Sequence, residues 1–185
     1  HTLQHNKIQP TPVAYMGAIM AFLSTTHSDK TNSQASTTTE PHHDDQDATH
    51  IAAALNLLRI ALDALPDGLL ATKGAAIATL LVPLANQFHA DAATQRAALS
   101  CAASVLASSS PRGPSLPNAL KLYRWMLEFT QHAHPKVRQR GQATCAQILR
   151  ECPPPLVQAL SPAVAKLVQP SLGAGTAHSV LTIRF

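Results

Sequence analysis

The chain has 185 residues, of which 45% are hydrophobic, 13% charged and 4% aromatic, with a formal net charge of +4. The charged share is about half the roughly 25% usual for soluble domains, too little for a long coiled coil, and four Phe, two Tyr and one Trp are too few to furnish a β-rich fold. Seven Gly and three Cys exclude a collagen-like or disulfide scaffold, leaving an alanine-rich helical protein short of the groups that do chemistry.

In chain order, residues 10–24 read as a first helix. Thr11 is placed to cap it, Pro12 fits the first turn, and Val13, Met16, Ile19, Met20 and Leu23 recur at helical spacing. The opening ten residues show neither an initiator Met nor the apolar core of a secretory signal, as expected of a processed, trimmed or partial chain. Residues 25–49 are Ser/Thr-rich and polar with no apolar period, and are expected to form a disordered insertion. Helical periodicity returns over 50–65, 69–88, 92–108, 117–131 and 135–151, with a last helix from Leu156 to Val168. Pro83 lies inside the third of these runs, and a kink or break near Leu81 is expected there. The domain plan is thus a first helix, the insertion, helical repeats over 50–169 and an irregular tail over 170–185.

Helix pairs recur about every 40–45 residues, the period of HEAT and armadillo repeats. The expected fold is all-α, a HEAT/armadillo-like solenoid of antiparallel helix pairs, with a compact helical bundle as the alternative. Residues 122–149 carry the sharpest local signal. An apolar helix from Leu122 to Phe129 turns at His132–His134, where the two imidazoles suit helix capping better than catalysis. Pro135 opens the next helix, Val137 points inward, Arg138 follows, and Gly141 is the small residue three positions on. This resembles the HEAT pattern: Pro fixes the entry dihedral, Val anchors the second helix, and the small residue admits close packing. Arg138 is expected to bridge successive turns of the solenoid through loop carbonyls or acids.

Several blocks are similar, in order, to the N-terminal repeats of the ribosomal RNA-processing protein twelve family, nucleolar HEAT-repeat proteins. They are Ala14–Met20, Ala52–Pro66, Arg96–Cys101, Leu122–Thr130 and His134–Arg140, within a resemblance spanning about residues 12–150. Gly141 stands where an alanine is usual in that family, and the polar insertion and tail are unmatched. The resemblance implies a non-enzymatic scaffold of the nucleus and nucleolus that helps process ribosomal RNA and assemble and export pre-ribosomal particles. The implied partners are ribosomal RNA, assembly factors and the nuclear export machinery, with no membrane, small-molecule substrate or cofactor. A helical-repeat adaptor in nuclear transport or signalling, without an RNA role, is the other expectation.

Cys101, Cys145 and Cys152 have no C-x-x-C spacing; two of them lie inside apolar helical patterns and read as small buried hydrophobes, and the count suits a reducing compartment. His42, His43, Asp44, Asp45 and His50 supply ligand types without the spacing of a metal site. No nucleophile elbow or glycine-rich phosphate loop is present. The basic excess gathers over residues 121–150. Lys136 and Arg140, four apart on one helix face, are the candidate contacts for phosphate or acidic protein, together with Arg124. Solvated helix surface is the plain reading of the same residues.

Overall fold

A computed structural model describes residues 11–33, 42–66, 68–107, 116–151 and 154–173. These form α1 (Pro12–Ser33), α2 (His42–Asp63), α3 (Leu69–Gln87), α4 (Ala92–Ala107), α5 (Leu116–Glu128), α6 (Pro135–Glu151) and α7 (Pro154–Gly173), with a 3-10 turn at Phe129–Gln131 closing α5. Helices α2, α4 and α6 lie side by side in one row, and α1, α3, α5 and α7 make a second row. The rows are joined pair by pair, α1 on α2, α3 on α4 and α5 on α6. This is the all-α solenoid that the repeat spacing predicts, and α6 opens at Pro135, 43 residues after α4 opens at Ala92.

The contact between α2 and α4 is the most extensive, and small side chains make it so. Ten of the 16 residues of α4 are buried, among them Ala97, Ala98, Cys101 and Ala102. They receive Leu55, Leu58 and Leu62 of α2, each no more than 1% exposed, and each such leucine stabilises the fold by about 1.5–3 kcal/mol. Register is fixed by two bonds of equal offset. The Thr94 hydroxyl donates to the Ala48 carbonyl (3.2 Å) and the Cys101 thiol to the Leu55 carbonyl (3.0 Å), each across 46 residues.

The structure departs from the sequence expectation over 25–49. Helix α1 continues to Ser33 and α2 already begins at His42, while 34–41 lie outside the described residues. Where α1 passes its expected end, Ser24 donates to the Met20 carbonyl (2.8 Å) and Thr25 and Thr26 to that of Phe22 (2.8 and 3.0 Å). Polar side chains are thereby satisfied along the helix itself. At the start of α2 the Ala48–Thr94 bond ties a polar segment to the core, a tertiary contact overriding weak local preference. Pro83 does not break α3, which runs unbroken to Gln87. Helix α7 starts two residues before Leu156 and extends to Gly173, and the rest of the expected tail, 174–185, lies outside the described residues.

Asp91 closes the turn between α3 and α4. Its carboxylate accepts from the backbone N–H of Thr94 (2.6 Å) and of Ala93 (3.4 Å). Burial alone would raise its pKa, but the hydrogen bonds from Thr94 and Ala93 and the charge of Arg96 outweigh it and hold the carboxyl below the ordinary aspartate value. The corresponding turn between α5 and α6 is closed by steric fit. A Cβ on Gly141 would stand 2.9 Å from the carbonyl carbon of Phe129 and 3.0 Å from both its Cβ and its oxygen.

Two outcomes follow for stability. Asp91→Ala should cost about 1 kcal/mol in denaturant unfolding, and Asp91→Asn, which keeps a capping oxygen, much less. Because the folded carboxyl binds its proton more weakly than the unfolded one, this contribution is full above the unfolded pKa and disappears as pH falls through the folded pKa. The wild-type and Asp91→Ala curves should therefore converge in acid. Gly141→Ala gains about 1 kcal/mol of helix propensity yet should destabilise the chain by about 1–3 kcal/mol net, since backbone atoms of Phe129 cannot move aside. Thermal unfolding of the variant checks this.

Candidate functional site

The turn from α5 into α6 brings the signature residues together. Tyr123 donates from its hydroxyl to the Cys145 carbonyl (3.4 Å), joining the two helices. Trp125 meets Phe129 edge-to-face at 4.9 Å, and Phe129 stacks on the His132 ring at 5.9 Å. His132 Nδ1 accepts from the backbone N–H of His134 (3.1 Å), so one imidazole caps the turn. Pro135 begins α6 at the surface, Val137 is fully buried, and Gly141 lies against Phe129.

Arg138 turns back on its own entry loop. Its Nη1 donates to the carbonyls of His132 (2.8 Å) and Ala133 (3.2 Å). The loop carbonyls are the expected acceptors, but they belong to the turn within one helix pair. The link between successive pairs is made instead by Arg140, whose Nη2 donates to the Ser100 hydroxyl of α4 (2.9 Å). Ser100 in turn donates to the Arg96 carbonyl (2.8 Å). The separation has a simple cause: two residues apart on a helix differ by about 200°, so Arg138 faces the turn and Arg140 faces α4.

Gln95 plays the part of Arg138 one pair earlier, and sequence pattern alone does not mark it. It stands four residues after the capping Asp91, as Arg138 stands four after His134. Its Nε2 donates to the carbonyls of Ala85 and Phe88, the latter at 3.0 Å, at the C-terminal end of α3, where the Phe88 carbonyl also accepts from the Asp91 N–H (3.1 Å). The signal available in sequence was the offset of 43 residues between Gln95 and Arg138, both long donors at equivalent positions.

The candidate binding residues divide between the two rows. Lys136 and Arg140 are exposed one turn apart on α6, and Arg150 is exposed near its C-terminal end. Arg96, exposed on α4 and one turn before Ser100, joins them on the outer face of the α2–α4–α6 row. Arg124 does not. It lies on α5 in the other row, on an exposed stripe with Lys121 and Glu128. Arg59 and Asp63 on α2 form an ion pair at 3.1 Å. Among the described residues, Arg96, Lys136 and Arg140 form none.

The two described cysteines, Cys101 and Cys145, are buried. Burial pushes the thiols of Cys101 and Cys145 up to about 12, so neither supplies a thiolate near neutral pH. Cys152 and the side chains of residues 42–45 lie outside what is described. Among the described residues no group of three or more His, Cys, Asp or Glu could hold a metal ion, and no helix is long and apolar enough to cross a membrane.

Paired helices in two rows, with side chains four residues past each cap satisfying the preceding turn, define a HEAT-repeat protein. The chain belongs to the family described as RRP12-like, N-terminal HEAT repeats, whose model matches residues 1–179. No curated protein and no solved structure matches the chain.

Arg138→Ala should lower stability by about 1.5–3 kcal/mol, because two turn carbonyls lose a charged donor. Arg138→Lys should recover only part of this, one ammonium replacing a planar fork. Urea unfolding of the pair of variants measures it, and a neutral Arg138→Ala would remove the assigned role.

Proposed function

We propose that the chain works as a non-enzymatic scaffold in ribosome biogenesis, assisting pre-ribosomal RNA processing and the assembly and export of pre-ribosomal particles in the nucleus and nucleolus. The family match over residues 1–179 carries this reading. The outer face of the α2–α4–α6 row supplies the contact, with Lys136 and Arg140 of α6 and Arg96 of α4 facing phosphates of ribosomal RNA. Support comes from their exposure and from the absence of ion pairs at these three groups among the described residues. Phosphate contact of this kind fixes position without reading sequence and weakens as salt rises. Arg124, on the other row, is outside this contact.

The test is recovery of pre-ribosomal RNA with the tagged chain at moderate salt, compared with a Lys136→Glu, Arg140→Glu variant. The variant should bind RNA at least tenfold more weakly, and the salt slope of its binding should be shallower by about one to two. Arg140→Glu also removes the donor to Ser100, so Lys136→Glu with Arg96→Glu is the companion variant. Lys136 has freely exposed charge, whereas Arg96 Nε donates to the Ala92 carbonyl (3.1 Å) and its charge supports the Asp91 carboxylate, so this second pair should weaken RNA binding with far-UV circular dichroism unchanged and the melting temperature slightly lowered. RNA affinity unchanged in both variants would remove the site. Recovery only with cytoplasmic or transport proteins, free of RNA, would favour the adaptor reading instead.

A further inference from the structure

Helices α2, α4 and α6 share a peculiarity of composition: none of them contains a Phe, Tyr or Trp. The aromatic side chains left exposed among the described residues, Tyr15 and Phe22, lie on α1 in the other row. Charge on α4 and α6 is one-sided as well. Their only acid is Glu151, the last residue of α6, which already accepts from the Gln147 amide at 3.1 and 3.2 Å. Between the cations of α6 stands Gln139, three residues after Lys136 and one before Arg140, so the three lie on one face. Its amide is exposed and makes no hydrogen bond among the described residues. The two guanidinium groups are held by the scaffold at one nitrogen each. Arg96 Nε donates to the Ala92 carbonyl (3.1 Å) and Arg140 Nη2 to the Ser100 hydroxyl (2.9 Å), and each group keeps further N–H donors for an oxyanion.

A single strand is held by a cationic groove together with aromatic platforms on which its bases stack. This face supplies cations and no platform. Double-helical RNA asks for what is present: its bases stack on one another, and its wide, shallow minor groove displays 2′-hydroxyls between flanking phosphates, recognised largely by shape. Resting on the RNA role proposed above, we propose that the ligand of this face is double-helical RNA, with Arg96, Lys136 and Arg140 on its phosphates and the Gln139 amide on a ribose 2′-hydroxyl. An amide donates and accepts, as the hydroxyl does, so neutral Gln139 bonds it in either sense. The cations sit on packed helices, at fixed positions that suit a ligand whose phosphates are themselves fixed. Lys136 and Arg140 are separated by about 6 Å of helix rise, and Arg140 reaches across to α4 one turn from Arg96. DNA lacks the 2′-hydroxyl, so the same amide contact separates an RNA duplex from a DNA duplex.

The test titrates the full 185-residue chain by fluorescence anisotropy at one fixed salt concentration. The probes are a mixed-sequence RNA duplex of about 20 base pairs, one of its strands alone, and the DNA duplex of the same sequence. The RNA duplex should bind at least about fivefold more tightly than either of the other two. Gln139→Ala should cut the preference for the RNA over the DNA duplex at least about threefold. Its salt dependence, which the cations set, and its far-UV circular dichroism should stay as in the parent. A single strand or a DNA duplex that binds as tightly as the RNA duplex would overturn this inference and leave the RNA role standing. Failure of both RNA probes to bind would overturn that role and the inference together. An unchanged preference in Gln139→Ala would overturn the 2′-hydroxyl contact.

Discussion

Close approach of helices in the α2–α4–α6 row is the constraint on which the rest of this structure depends. Helix α4 is covered on both flanks within its row and by α3 from the other row. A helix enclosed on three sides cannot carry large side chains all round, and α4 resolves this with Ala97, Ala98, Cys101 and Ala102. The same constraint is tightest at Gly141, where even a methyl group meets backbone atoms of Phe129. Low aromatic content and abundant alanine are thus properties of the stacking. Three of the seven aromatics, Tyr123, Trp125 and Phe129, gather where α5 enters its turn, as the contact of Trp125 with Phe129 and of Phe129 with His132 illustrates.

Tight stacking creates a second demand, because helix ends brought together in a turn have carbonyls without intrahelical partners. One long side chain per turn meets it, Gln95 after α3 and Arg138 after the Phe129–Gln131 segment. A neutral amide and a guanidinium can both fill this position, the guanidinium as the stronger donor, so a cation here does not by itself mark a binding surface. The distinction matters for function. Of the cations on α6, Arg138 is committed to a turn and Arg140 partly to Ser100, whereas Lys136 has its whole charge facing outward. On the proposed face the cations left for a partner are therefore those the scaffold uses least, shared between α4 and α6.

Much of the architecture was legible in the sequence because helical periodicity and proline-marked turns report directly on buried faces. The starts of α4 and α6 and the inward placement of Val137 follow from residue pattern alone. Polar helix is harder to read. The segments 25–33 and 42–49 have no apolar period, yet α1 and α2 include them, with the Thr25 and Thr26 hydroxyls bonded within their own helix and the Ala48–Thr94 contact tying in the start of α2. Pro83 looked like a breaker, but a missing N–H within a helix packed by Leu81 and Leu84 did not end it. The candidate site was legible only in part. Sequence order places Arg124 close to Lys136, while the alternation of rows puts them on opposite layers. Arg96 belongs with Arg140 through a contact spanning 40 residues that no local pattern encodes.

The equal 46-residue offsets joining α2 to α4 have a consequence for how this chain acquires its structure. Every pair touches chiefly the pair before or after it, so few contacts require distant parts of the sequence to find one another. Low contact order of this kind favours rapid assembly, nucleated at whichever pair forms first and spreading outward by accretion. Helix α4 is the natural starting point, since it alone among α2, α4 and α6 has row neighbours on both flanks, and it buries the largest share of its length. Opening would run in reverse, with the outer pairs loosening while the middle persists, so that amide exchange grades from centre to edges instead of appearing as one uniform event.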